Sequence, residues 1–264
     1  MRVSTFNIRN TTDRYDERKD LLSETISQQS GALISCFQEV SWSQIPLIYS
    51  ALGHKGLILQ SSCYAPITSR SKPDYHVDGD LMVINTAHPD VERIVLISHR
   101  VVILSFERQV QIAVIDLTRN YHRIRMVVAN THLHDGTSRE DRLERYKQVE
   151  VAVEEIEKEK GDVYIFMGDF NSNHTDATYG YLRTNGWRSG AFETNGKEFE
   201  KTFPSGIQAP TMDNDEPDAG CVDYIWFKGN VMLYGSYIFG DKPLKTDSTI
   251  YPSDHYGVSV CMSL

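Results

Sequence analysis

No stretch of this 264-residue sequence is apolar for long enough to span a bilayer, which argues against a helical membrane protein. The opening "MRVSTFNIRN" lacks the long apolar core of a secretory signal and already reads as a strand. An intracellular protein, cytoplasmic or nuclear, is the expectation. The four cysteines (Cys36, Cys63, Cys221, Cys261) form no C-x-x-C pair and have no zinc spacing. Three of them sit in apolar, strand-like segments and read as core thiols in a reducing compartment. Positive charge is also short. Against 36 acidic residues stand 27 basic ones, a net charge of -9, which speaks against a broad basic footprint for nucleic acid. It does not exclude that substrate, because a metal site in an acidic cleft still draws phosphate locally. Internal repeats, low-complexity tracts and linkers of domain-boundary length are missing too, so a single catalytic domain over residues 1–264, most simply a monomer, is expected.

What the sequence does contain is a series of short apolar runs: "VSTFNI", "ALISCF", "LMVINT", "RIVLI", "VQIAVIDL", "RMVVANTHL", "VYIFMG", "CVDYIWF" and "YGVSVCM". Rich in Val, Ile, Tyr and Phe and bounded by Gly, Asp, Asn and Pro, they read as strands, several of them apolar on both faces. Two segments have helical period instead. Over Thr137–Lys160, Leu143, Tyr146, Val149, Val153 and Ile156 recur three or four apart, with Thr137 or Ser138 as cap and Gly161 beyond the end. Over Asp16–Ser30, Leu21, Leu22 and Ile26 share a face, with Gly31 as the stop. Helices between strands predict an α/β protein with sheet packed on sheet and helices outside. The longest irregular stretch is residues 173–220, including the acidic "DNDEPDAG" at Asp213–Gly220. A loop of that length shapes a substrate site or is merely solvated.

Polar residues recur where the apolar strands end. Asn7 closes "TFN", Glu39 lies in "FQEV", Asn130 and His132 in "NTHL", Asp169 and Asn171 in "GDFN", Asp223 in "VDYIW", and Asp254 and His255 in "SDH". One acid at a strand end is usually a solvated edge. Six such ends converging would make a cluster of carboxylates, amides and imidazoles without thiolates, a donor set for Mg2+ or Mn2+. In "YIFMGDFNSN" the alternation of a strand would put Asp169 and Asn171 on one face.

The ordered set "TFN…FQEV…NTHL…GDFN…VDYIW…SDH" over residues 5–255 resembles the endonuclease/exonuclease/phosphatase superfamily. The resemblance implies a four-layer α/β sandwich of two mixed sheets flanked by helices, and metal-dependent cleavage of phosphate esters. It also implies roles. Glu39 resembles the principal metal ligand, with Asn7 beside it and Asp254 as a further metal-side acid. Asp169 resembles the residue that orients and deprotonates the attacking water, and Asn171 the amide that holds a phosphate oxygen. His255 resembles the histidine on the scissile phosphate, oriented by Asp223. His132 matches a second histidine, expected to pair with an acid on a neighbouring strand, Asp78 by preference and Asp80 as second choice. Arg9 and Asn130 are expected to touch substrate. The other histidines (His54, His76, His88, His99, His122, His134, His174) carry no motif and read as surface or structural residues.

Within the superfamily the motifs divide. "FNIR" and "QEV" resemble pancreatic-type deoxyribonucleases, yet Ser41 stands where those carry a basic residue. Deadenylases and tyrosyl-DNA phosphodiesterases share "QEV" and "SDH", and sphingomyelinases share "THL". A phosphodiesterase acting on nucleic acid is the leading expectation. A phosphatase or phospholipase-type hydrolase is the alternative, and a binding module without catalysis is a third class.

Overall fold

The computed structural model describes residues 1–53, 56–61, 78–105, 108–212 and 219–264. His54, Cys63, His76 and Asp213–Asp218 of the acidic loop lie outside them. The described strands form two six-stranded sheets. The first runs β11 (Met232–Phe239), β12 (Gly257–Ser263), β1 (Arg2–Asn7), β2 (Ile34–Ser41), β4 (Asp78–Asn85), β3 (Gly56–Gln60). The second runs β5 (Arg93–Ile103), β6 (Gln109–Arg119), β7 (His122–His132), β8 (Val163–Asp169), β10 (Asp223–Gly229), β9 (Arg188–Ser189).

Side chains on one face of each sheet meet in a common core, among them Val3, Cys36, Met82, Val128, Ile165 and Val260. The other faces are covered by helices. Against the first sheet, α1 (Tyr15–Ser27) and α2 (Ile45–Ala51) bury Leu22, Ile26 and Ile48 on Phe6 and Phe37. Against the second, α3 (Arg139–Glu157) and α4 (Ala177–Thr184) bury Val149, Ile156 and Leu182 on Phe166 and Trp226. Each such side chain removed from water contributes roughly 1.5–3 kcal/mol. This is the expected four-layer α/β sandwich.

The expected helices stand as α1 and α3. Ser138 caps α3: its hydroxyl accepts from the Asp141 amide, and the Asp141 carboxylate accepts from the Ser138 amide. The reading of residues 173–220 as irregular is corrected, because they hold α4, β9 and α5 (Gly190–Asn195). Asp176 and Ser189 cap these helices through the Thr178 and Phe192 amides. Helices of eight and six residues carry too few turns for a periodicity to register in sequence.

Each sheet contains one parallel pair, β1–β2 joined through α1 and β7–β8 joined through α3. The partners β4, β10 and β12 are antiparallel to these strands. They therefore begin where the parallel strands end. That topology brings the ends of β1, β2, β7 and β8 and the starts of β4, β10 and β12 to one rim.

Candidate active site

Local backbone aims the rim. In β2 the pairing with β4 passes from Phe37–Leu81 to Val40–Gly79, so Gln38 and Glu39 together face one partner residue. Glu39 is the extra residue of this bulge and adopts φ 55. A left-handed non-glycine conformation costs about 1–2 kcal/mol, and here it turns Glu39 out of the strand face towards the rim. At the end of β8 the strand stops at Asp169, so Asn171 does not share a strand face with it as expected. Instead Asn171 adopts φ 48 and its amide donates to Asp169 Oδ1 at 2.9 Å. Gly168 permits this closure: a Cβ there would lie 1.9 Å from the Thr131 carbonyl oxygen on β7.

A cavity of about 410 Å³ opens at the rim, lined by Arg9, Glu39, His132, Asp169, Asn171, Asp254 and His255. Asn7 lies beneath it, fully buried, donating to Glu39 Oε1 at 3.1 Å and to Asp169 Oδ2 at 2.9 Å. Its own oxygen accepts the Arg9 backbone N–H at 3.0 Å. Asn7 thus bridges the two acids, with its oxygen turned to the backbone of Arg9. Asp169 is the hub. Its Oδ2 lies 3.6 Å from both His132 Nε2 and His255 Nε2. His255 Nδ1 meets Asp223 Oδ2 at 2.9 Å.

Two expected residues land elsewhere. Asn130 is fully buried between the sheets, donating to the Phe37 and Leu81 carbonyls and accepting from Gln38 at 2.7 Å. It cross-links the sheets and does not line the cavity, so it is not placed to touch substrate. Asp78 starts β4, which pairs with β2, and so it stands beside Glu39 and accepts from Asn10 Nδ2 at 2.7 Å. The carboxylate nearest His132 across the strand register is Asp169. Asp80 is buried, which pushes its carboxyl up to about 8.

The electrostatics separate the two sides of the rim. Burial raises Glu39 above the usual carboxylate range; Arg9 opposes this, while the charges of Asp254 and Asp78 add to it. Arg9 Nη1 sits between, 3.6 Å from Glu39 Oε2 and 3.5 Å from Asp254 Oδ2. Across the cavity, burial pushes Asp169 up to about 7 despite His255. Burial alone would lower His255, but the Asp223 and Asp169 carboxylates overcome it and push it up to about 10. His132 is held well below its ordinary value by burial and by the positive charges of Arg108, His255 and Arg9.

Two groups of donors invite a divalent ion. Ligand atoms of Asp169, Asp223 and His255 lie within 4.8 Å of one another. Both His255 nitrogens, however, already face carboxylates. Glu39 and Asp254, with Asp78 beside them, gather oxygen donors and negative charge, with the Arg9 guanidinium within ion-pair distance of the first two. By donor type, all oxygen, this second set suits a hard cation.

The family profile described as "Endonuclease/Exonuclease/phosphatase family" matches residues 4–255. The chain belongs to the endonuclease/exonuclease/phosphatase family. This family is one of hydrolases that act on phosphate esters. No curated protein matches the chain. Among solved structures, the human Nocturnin catalytic domain with bound sulfate anion is similar at 19% identity and TM-score 0.75, over 100% of this chain and 93% of that one. D. rerio TDP2 complexed with single strand DNA product matches at 16% identity and TM-score 0.72, over 100% and 99%. The endonuclease/exonuclease/phosphatase from Bacteroides vulgatus matches at 16% and 0.71, over 100% and 98%. At these identities the likeness is one of fold.

Sequence reasoning missed Arg108, Phe203 and Met212, which also line the cavity. The Phe203 ring lies 4.7 Å from the His255 ring. Phe203 and Met212 come from the long stretch 173–220, whose length was their one signal.

Proposed function

We propose that this chain is a Mg2+- or Mn2+-dependent phosphodiesterase that cleaves nucleic acid by in-line attack of water. The observation that carries the reading is the position of the Asp169 carboxylate, tied through Asn7 to Glu39 and flanked by two imidazoles. Glu39 and Asp254 would hold the ion, which when bound neutralises phosphoryl oxygens and makes water more acidic. Asp169, with its affinity for a proton raised by burial, takes the proton of the attacking water. Asp223 fixes the His255 ring through Nδ1. His255 in its protonated form sets a positive charge against the phosphate oxygens as they gain charge. His132, held neutral, donates its one N–H to an oxygen of the same phosphate. One N–H of Asn171 donates to the Leu133 carbonyl, and the second is left for a phosphate oxygen.

Nucleic acid is favoured by two arginines, Arg9 and Arg108, and an aromatic ring, Phe203, that line the same cavity. The D. rerio TDP2 structure with single strand DNA product supports the same class. A panel of single-stranded DNA, RNA, bis-nitrophenyl phosphate and sphingomyelin, each with Mg2+ and with EDTA, tests the reading. Metal-dependent cleavage of DNA or RNA is expected. Turnover of sphingomyelin alone, or full activity in EDTA, contradicts it.

A further inference from the structure

The cation side of the rim rests on one buried arginine that takes no part in the chemistry above. Arg18, on the first turn of α1, is 0% exposed. Among the described residues no carboxylate lies within ion-pair distance of it. Its guanidinium donates only to backbone carbonyls: Nε to Asp13 at 3.0 Å, Nη1 to Ile8 at 3.0 Å and Pro252 at 2.9 Å, and Nη2 to Arg9, Asn10 and Thr12. Burial draws its pKa down to about 10, so it remains a cation at neutral pH. All five N–H groups of the planar fork are engaged, which an ammonium with three donors cannot reproduce.

Those carbonyls belong to two loops. One follows β1 and curls through Arg9, Asp13 and Arg14, three non-glycine residues at φ 50, 49 and 58. Each such conformation costs on the order of 1–3 kcal/mol and persists only where the surroundings over-determine it. The other loop enters β12 and carries Asp254. The curl held in this way touches every acid of the cation side. Arg9 reaches Glu39 and Asp254, and Asn10 Nδ2 donates to Asp78. Asp13 Oδ2 in turn accepts from Arg9 Nε and Nη2 at 2.9 and 2.8 Å.

We infer that Arg18 is the positioning residue of the metal site: by holding the loop after β1 to the loop before β12, it sets the spacing of Glu39, Asp254 and Asp78 and so the affinity for the ion. This rests on the reading of those acids as the cation's ligands. The second half of the molecule supplies the control. Arg145 on α3, equally buried, donates to the His134 and Gly136 carbonyls and pairs with Asp176. It clamps the loop after β7, on the other side of the cavity.

The test is Mn2+ titration by calorimetry on the full chain stripped with EDTA, comparing the parent with Arg18→Lys, Arg18→Met, Arg145→Lys and Glu39→Gln. Loss of an outer partner that orients metal ligands costs about 10–100-fold in affinity. Both Arg18 variants should therefore bind Mn2+ about tenfold or more weakly. Their kcat on bis-nitrophenyl phosphate at saturating Mn2+ should fall by less, and Arg145→Lys should keep the parent affinity. Parent-like affinity in Arg18→Lys overturns the proposal, as does an equal loss in Arg145→Lys, which would mean general loosening. Failure of both Arg18 variants to unfold cooperatively would make the residue one of stability alone and also overturns it. A parent that shows no saturable Mn2+ binding sensitive to Glu39→Gln would instead remove the metal reading itself.

Discussion

In the first sheet the parallel pair β1–β2 ends in an amide and an acid, Asn7 and Glu39; in the second, β7–β8 ends in an imidazole and an acid, His132 and Asp169. Both pairs are joined through a helix that carries a buried arginine gripping the loop after the first strand. Asp169 is buried and Glu39 nearly so, and the loss of solvent raises both. They differ in what surrounds them. Glu39 faces further carboxylates and one guanidinium, an excess of negative charge that a cation relieves. Asp169 faces two imidazoles, one whose affinity for a proton is raised and one whose affinity is lowered. On the function proposed above the work divides, with ion binding falling to Glu39 and Asp254 and proton handling to Asp169 with its two imidazoles.

The division is broken most severely at Asp169. Asp169→Asn keeps the shape and removes the base, so kcat should fall by about 10²–10⁴, the range for positioned acid–base groups. Substrate KM should change little, read by steady-state kinetics at saturating Mn2+. Next come His255→Ala and Asp223→Asn, each expected to lower kcat by about 10²-fold, as for removal of one preorganised charge partner. Because the two are joined at 2.9 Å, the double variant should be little worse than His255→Ala alone. Additive losses in that cycle would show the pair is not a unit.

A smaller effect sharpens the comparison from the fold side. Asn130→Ala should leave kcat near the parent value and lower stability by about 1–3 kcal/mol, the cost of leaving buried hydrogen-bond partners unpaired. Denaturant unfolding reads it, and a large loss of kcat with intact stability would return Asn130 to the site. A further effect is in pH. His255 holds its proton more tightly in the folded protein, to about 10, than in the unfolded chain near 6.5. Its contribution to stability is then full below about 6.5 and lost as pH rises through about 10. In EDTA, the difference in Tm between parent and His255→Gln should shrink across that window, and a constant difference would contradict the raised value.

Much of this was readable in the sequence where residues carry their own period or motif. The helix over α3 announced itself through Val149, Val153 and Ile156, and the strand ends through "GDFN" and "SDH". What was not readable depended on register. Alternation puts Asn130 on the same face of β7 as His132, but two residues deeper, about 7 Å from the rim at strand rise. There it meets the other sheet and no solvent. The surroundings of Asp78 were not readable either, because sequence cannot say which strands are neighbours: β4 pairs with β2, which sets Asp78 opposite Ser41 near Glu39. The bulge that turns Glu39 outward leaves no mark in "FQEV", since its cause is a mismatch with a strand some forty residues later.

The division of labour is tested most directly by measuring two quantities on two variants: Mn2+ affinity by calorimetry, and kcat on bis-nitrophenyl phosphate at saturating Mn2+, for Glu39→Gln and Asp169→Asn. The account predicts that Glu39→Gln weakens Mn2+ binding by at least the roughly 10–100-fold that loss of a ligand-orienting partner costs, with a smaller loss of kcat. Asp169→Asn should do the reverse, losing kcat while binding Mn2+ as the parent does. Equal loss of Mn2+ affinity in both variants would contradict it, because the two halves would then form one undivided metal site.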